Sequence, residues 1–160
     1  MQTRRSILVM LLAQFMFAAA MASEPGAGAK VANDAQPGVV IDRLLAAIAR
    51  RDVPATMDCF SSGEDVAVVG SETGEHARGR KAVTDFFTLA YSRSGPYRFV
   101  FPAREFTTHG DVTWMFAEGS VAGPGESVGA PYRLTAVLVR EAGGYRLLLW
   151  SGSEPAASRH

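Results

Sequence analysis

Few side chains in this chain could do chemistry. Glu118 and Arg133 stand in two stretches where polar and apolar residues alternate. A carboxylate in apolar surroundings can serve as a general acid or base, or hold a polar ligand atom. The same carboxylate opposite an arginine can equally be half of a partly buried ion pair. Cys59 is the single cysteine, so no intramolecular disulfide can form. Set between Asp58 and Phe60 at the end of a short helical pattern, it reads as a small buried hydrophobe rather than a nucleophile. Asp58 and Asp85 also fall on helical patterns, and Asp85 lies off the apolar stripe, facing solvent. His76, His109 and His160 occupy a polar loop, a hairpin tip and the chain end, without the converging spacing a zinc site requires. No phosphate-binding loop, dinucleotide fingerprint, nucleophile elbow or EF-hand loop is present, so the sequence implies no cofactor.

Composition narrows the partners. Lys plus Arg and Asp plus Glu both number 16 in 160 residues, and no block of like charge stands out. Nothing suggests a grip on nucleic acid or on an anionic membrane surface. The length suits one domain. Arg4 and Arg5, the uncharged apolar run Ile7 to Met21, and Ala20-Met21-Ala22 form the pattern of a signal peptide over residues 1–22, cleaved before Ser23. An uncleaved anchor is the competing reading, but about 15 apolar residues fall short of the ~20 that a spanning helix needs. The expected location is the periplasm or the exterior, with no stable membrane anchor after cleavage. Thr3-Arg4-Arg5-Ser6-Ile7-Leu8 also resembles a twin-arginine signal, although paired arginines are common in ordinary ones.

The elements that must position the candidate residues follow from periodicity. Residues 23–36, with Pro25, Gly26, Gly28 and several alanines, read as a flexible linker. A domain over 37–154 opens with a helix at Pro37, where Val40, Ile41, Leu44, Leu45 and Ile48 recur at helical spacing. Asp52 caps a second, short helix with Met57 and Phe60 inward. Asp65 to Val69 is a short β-branched run, and Gly70 to Gly79 a polar loop. A third helix carries Val83, Phe86, Phe87 and Ala90 on one stripe. The period then changes to two, and strands are expected over Tyr97 to Thr108, Val112 to Val121, Pro131 to Arg140 and Tyr145 to Ser153. Pro102 cannot donate to a ladder, so its strand is an edge there or carries a bulge. Residues 155–160 form a tail. Helices gathered before an antiparallel meander make an α+β domain.

Loop lengths predict the register. A turn at His109-Gly110 sets Glu105 opposite Trp114. A loop about Gly125-Glu126 sets Glu118 opposite Arg133 and Phe116 opposite Thr135. A loop at Ala142-Gly143-Gly144, with Gly144 at positive φ, sets Thr135 opposite Ser151 and Val137 opposite Leu149. One face then carries Tyr97, Phe99, Phe101, Trp114, Phe116, Glu118, Arg133, Thr135, Val137, Leu147, Leu149 and Ser151. It is expected to be the concave one, with Glu118 as acid or base and the aromatic residues, Arg133, Thr135 and Ser151 as ligand contacts. The other face, with Leu134, Leu138, Leu148 and Trp150, is expected to hold a homodimer.

Gly79-Arg80-Lys81-Ala82-Val83, Gly110-Asp111-Val112-Thr113-Trp114, Arg133-Leu134-Thr135-Ala136-Val137, and Gly143-Gly144-Tyr145-Arg146-Leu147 leading to Ser151-Gly152-Ser153 occur in this order. Together they resemble the SnoaL-like branch of the nuclear transport factor 2-like superfamily, from about Val39 to Ser153. The resemblance implies the cone fold, a curved antiparallel sheet wrapped around N-terminal helices to form a cone-shaped pocket. Because the superfamily includes ketosteroid isomerases, polyketide cyclases, dehydratases and proteins without a known reaction, it leaves activity open. Relatives often carry a histidine where this chain has Ser151, which removes a natural general base. The expected function is binding of a small apolar molecule in the pocket. The alternatives are a cofactor-free isomerase, cyclase or dehydratase using Glu118, and a protein-interaction module.

Overall fold

A computed structural model describes residues 34–93 and 95–155. The expected signal peptide, residues 23–33 of the expected linker, and residues 156–160 of the expected tail lie outside them.

Helix α1, Pro37–Arg50, starts on a proline and ends at Arg51, whose left-handed backbone (φ 57°, ψ 37°) lets its N–H reach Ile48 O. Its stripe of Val40, Ile41, Leu44 and Ile48 is buried as expected, each side chain stabilising the fold by about 1.5–3 kcal/mol. The Asp52 carboxylate caps α2, Val53–Met57, by accepting from Ala55 N at 2.9 Å. Helix α3, Arg80–Arg93, buries Val83 and Phe87. No described helix is long and apolar enough to cross a membrane.

Six strands form one open sheet in the order β2-β1-β6-β5-β4-β3. They are β1 Ala67–Val69, β2 His76–Arg78, β3 Arg98–His109, β4 Val112–Ala122, β5 Ala130–Glu141 and β6 Gly144–Ser153. Two features depart from the sequence reading. The loop Gly70 to Gly79 contains β2, which hairpins back onto β1. In addition β1 runs parallel to β6, so the sheet is mixed rather than wholly antiparallel.

The inner face packs on the helices. Met115 and Ala117 of β4, Leu134, Ala136 and Leu138 of β5, and Leu147 and Trp150 of β6 are sealed there. Two bulges shape it. Between Val100 and Ala103 the register of β3 slips, at the position of Pro102 on this edge strand. The slip brings the Val100 carbonyl so close to β4 that a Cβ on Gly119 would stand 1.9 Å from it, so only glycine fits there. The second lies between Val137 and Leu138, where Leu138 pairs with Leu147 and Leu148 is the extra residue.

The start of the domain is pinned. Asp34, expected in the flexible linker, is wholly buried; its carboxylate takes Arg43 and, at 2.7 Å, Arg146, and its carbonyl accepts from Tyr145 N at 2.8 Å. Gly144 (φ 107°) passes so near that a Cβ would lie 2.6 Å from Asp34.

Candidate ligand-binding cavity

The pairings expected around Glu118 hold: Glu118 faces Arg133, Phe116 faces Thr135, Thr135 faces Ser151 and Val137 faces Leu149. The β3–β4 pairing is displaced by two residues, with Glu105 opposite Phe116, because the turn lies at Gly110-Asp111. The choice of face is reversed. Trp114 and Phe116 are 43% and 41% exposed on the outer side of the sheet. Thr135 is exposed and Ser151 half-buried, both on the outer alternation. The Glu118–Arg133 pair, 2.8 Å apart, has side chains 62% and 49% exposed. None of these six residues faces the helices, so none lines an interior pocket, and Glu118 is no pocket acid. Conversely Leu134, Leu138 and Trp150, expected to hold a homodimer, are core residues. The physical reason is charge: the alternation holding Glu118 and Arg133 leaves both ions in water, while its complement buries no ion across the middle of the sheet.

Phe99 and Phe101 keep their inward placement, and the β3 bulge is the cause; Tyr97, just before the strand, borders the cavity between α3 and the sheet but is 41% exposed. It changes the parity of the strand, so Phe99 and Phe101 face inward although Ala103 and Glu105 share the outer side with Phe116 and Glu118. Phe101 is buried in the core and stacks on Phe99 with ring centres 6.2 Å apart.

A cavity of about 620 Å³ opens between α3, the β1–β2 turn and the inner face of β3, β5 and β6. Its helical wall is Phe86, Phe87, Ala90 and Tyr91, and its sheet wall is Tyr97, Phe99, Val121, Tyr132 and Trp150. Phe99 holds the sheet wall together, at 5.1 Å and 63° to Tyr132 and 5.4 Å and 76° to Trp150. Phe87 does the same opposite, contacting Phe60, Phe86 and Tyr91 at 5.9, 5.4 and 5.6 Å. The mouth carries Glu72, Glu75 and Glu154, with Arg93 from the last turn of α3.

Two phenols bring polarity to this apolar space. Tyr91 meets Thr56 Oγ1 at 2.9 Å; Thr56 donates its own proton to Asp52 O at 2.8 Å, which leaves Tyr91 as the donor. Burial pushes Tyr91 up to about 12. Tyr132 is 5% exposed. Burial raises its pKa, the Trp150 indole N–H donating to its oxygen opposes the rise, and Glu75 and Glu154 add to it. Its hydroxyl lies over β6, where a Cβ on Gly152 would stand 1.7 Å away. Cys59, outside this cavity, is buried as expected; its Sγ contacts Ala55 O at 3.5 Å, and burial pushes the thiol to about 11. Among the described residues no three His, Cys, Asp or Glu side chains could hold a metal ion.

Sequence reasoning missed Tyr132, Trp150 and Tyr91. The signal was available: Tyr132 begins the ion-free series Tyr132, Leu134, Ala136, Leu138, and Tyr91 extends the Val83, Phe87 stripe by one turn.

The helices before the sheet, its curvature and the cavity between them define an α+β domain of the nuclear transport factor 2-like kind. The chain belongs to the SnoaL-like domain family, whose profile matches residues 39–157. Among solved structures, it is similar to a nuclear transport factor 2-like protein from Streptomyces avermitilis, described as a candidate dehydratase. That likeness has 18% identity over 79% of this chain and 98% of that one, with a TM-score of 0.70. A candidate calcium/calmodulin-dependent protein kinase type II association domain from Thiobacillus denitrificans shares 21% identity over 75% and 95%, with a TM-score of 0.68. A nuclear transport factor 2-like protein of unknown function from Pseudomonas putida shares 17% over 78% and 87%, with a TM-score of 0.66. These likenesses establish the fold alone. No curated protein sequence matches this chain.

Proposed function

We propose that this chain is an exported protein that holds a small, mainly apolar organic molecule in the cavity between α3 and the sheet, without transforming it. The observation that carries this reading is the aromatic cavity of about 620 Å³, a volume in the usual range for small-molecule sites, with Tyr132 and Trp150 supplying the few convergent polar groups. Binding is favoured over catalysis because Glu118 faces outward, and the carboxylates lining the cavity, Glu72, Glu75 and Glu154, are exposed or half-buried at its mouth. Export rests on Arg4, Arg5, the apolar run to Met21 and Ala20-Met21-Ala22. A homodimer is proposed through the outer sheet face. Trp114 and Phe116 form an exposed aromatic patch there, and the adjoining Glu118 and Arg133 offer both charges, so that a two-fold axis can set each against its opposite in a second copy.

The test uses protein recovered from the exported fraction, with its N-terminus near Ser23. N-phenyl-1-naphthylamine, a neutral apolar fluorophore, is titrated into it. Saturable enhancement at one probe per chain is expected, and Ala90→Trp, which fills the cavity from the helical wall, abolishes it. Unsaturable binding, or binding undiminished in Ala90→Trp, refutes the cavity as the site; an intact Met1 in a soluble cytoplasmic pool refutes export.

A further inference from the structure

The charge distribution around the cavity narrows its ligand, on the reading that the cavity binds a small molecule at all. Three carboxylates, Glu72, Glu75 and Glu154, stand at the mouth against the single guanidinium of Arg93. The partners of Glu75 and Glu154 are neutral. Glu75 Oε2 accepts from Glu72 N at 3.2 Å, and Glu154 Oε1 accepts from Ser71 Oγ at 3.3 Å. None of the three is in an ion pair among the described residues. The β1–β2 turn fixes Glu75 in place: Gly70 N donates to Glu75 O at 2.6 Å, and the Glu75 side chain folds over Gly70, where a Cβ would lie 2.2 Å from its Oε2.

The negative field reaches the interior, since Glu75 and Glu154 both disfavour ionisation of the Tyr132 phenol. Inside, Phe99, Tyr132 and Trp150 form a corner of steeply inclined rings, and the face of an aromatic ring attracts a cation. Tyr132 and Trp150 are each 5% exposed. The Tyr132 oxygen takes the indole N–H. A phenol can also donate to a hydroxyl or carbonyl oxygen carried by the ligand body.

We infer that this cavity selects an organic cation, an amine or quaternary ammonium on an apolar body, over neutral and anionic compounds of the same shape. The rings take the body, and the mouth carboxylates with the aromatic corner take the charge.

Three indole probes of nearly equal shape test this by displacing N-phenyl-1-naphthylamine from the full exported protein: tryptamine, tryptophol and indole-3-propionate. Tryptamine is expected to bind about tenfold tighter than tryptophol and tighter still than the propionate. The preference should weaken with added salt. The pair Glu75→Gln and Glu154→Gln should bring tryptamine to the level of tryptophol, read as the ratio of the two affinities within the same variant. Tryptophol or indole-3-propionate binding as tightly as tryptamine overturns the inference and leaves the cavity reading standing; the propionate binding tightest gives the mouth to Arg93. A tryptamine preference that survives both substitutions also overturns it, because the charge is then read elsewhere. If naphthylamine itself fails to bind, the cavity reading falls and the inference with it.

Discussion

On β4, Met115 and Ala117 are sealed beneath the helices, while Trp114 and Phe116, larger and one residue away, are 43% and 41% exposed. The two sides of one sheet are thus both apolar in composition but differ in what they tolerate. The inner side buries aliphatic residues of graded size, and its polar groups are phenols, an indole and hydroxyls that find partners without ionising. The outer side places an ion pair between its aromatic residues, where water screens it. Aromatic content does not say which side of a sheet is inside; the position of the ions does, because an ion can stay on a wet face at little cost and on a dry face only at a large one.

The largest expected effect is on the inner side. Leu138 is fully buried opposite Leu147, and Leu138→Ala should lower unfolding free energy by about 2–5 kcal/mol in a urea titration, through lost burial and the cavity left behind. A change under about 0.5 kcal/mol would mean the two sides had been exchanged.

A middle-sized effect comes from pH. Burial raises Cys59 from 9.0 to about 11 and Tyr91 from 10.0 to about 12. For acids raised on folding, the stabilisation is complete below the unfolded pKa. It is lost as pH rises from 9 to 11 for Cys59 and from 10 to 12 for Tyr91. For Cys59 the loss is on the order of 2–3 kcal/mol, and for the partly exposed Tyr91 it is smaller because water screens it. Urea midpoints should therefore fall with rising alkalinity, and Cys59→Ala should delay the fall by removing its first part. A midpoint flat through this range would sharpen the contrast differently, by showing that water reaches the interior groups too.

The smallest effect on the fold belongs to the outer side. Trp114→Glu, studied at a concentration where the protein is monomeric, should change unfolding free energy by about 0.5 kcal/mol or less. In sedimentation at high concentration the same change should turn the proposed dimer into monomer, by placing a charge in the shared patch. A dimer unchanged in the variant, or a wild type already monomeric at high concentration, refutes the proposed interface.

Much of the fold was legible in local pattern. The apolar stripes of α1 and α3, the Asp52 cap, the left-handed Gly144 and the tension at Pro102 are each properties of a few neighbouring residues, and each is present in the structure. The pairing of Glu118 with Arg133 was legible too, because it depends on hairpin length. The strand β2 was not: three residues, His76–Arg78, carry too short an alternation to show, and they are a strand because β1 lies beside them.

Sequence by itself therefore determined the elements other than β2, the pairing of β4 with β5 and of β5 with β6 as far as Val137, and membership of the alternating sets on those strands. It could not determine which set the helices cover. A strand's side chains alternate with period two, so turning a correctly paired sheet over preserves every pairing and exchanges every face. The tertiary structure decided that, by docking α1 and α3 on the side bearing Leu134, Leu138 and Trp150, and by the bulge at Pro102 that turns Phe99 and Phe101 back toward the same side. The cavity followed from both, since Phe86, Phe87 and Tyr91 lie far in the chain from Val121, Tyr132 and Trp150 and meet them only when α3 closes over the sheet.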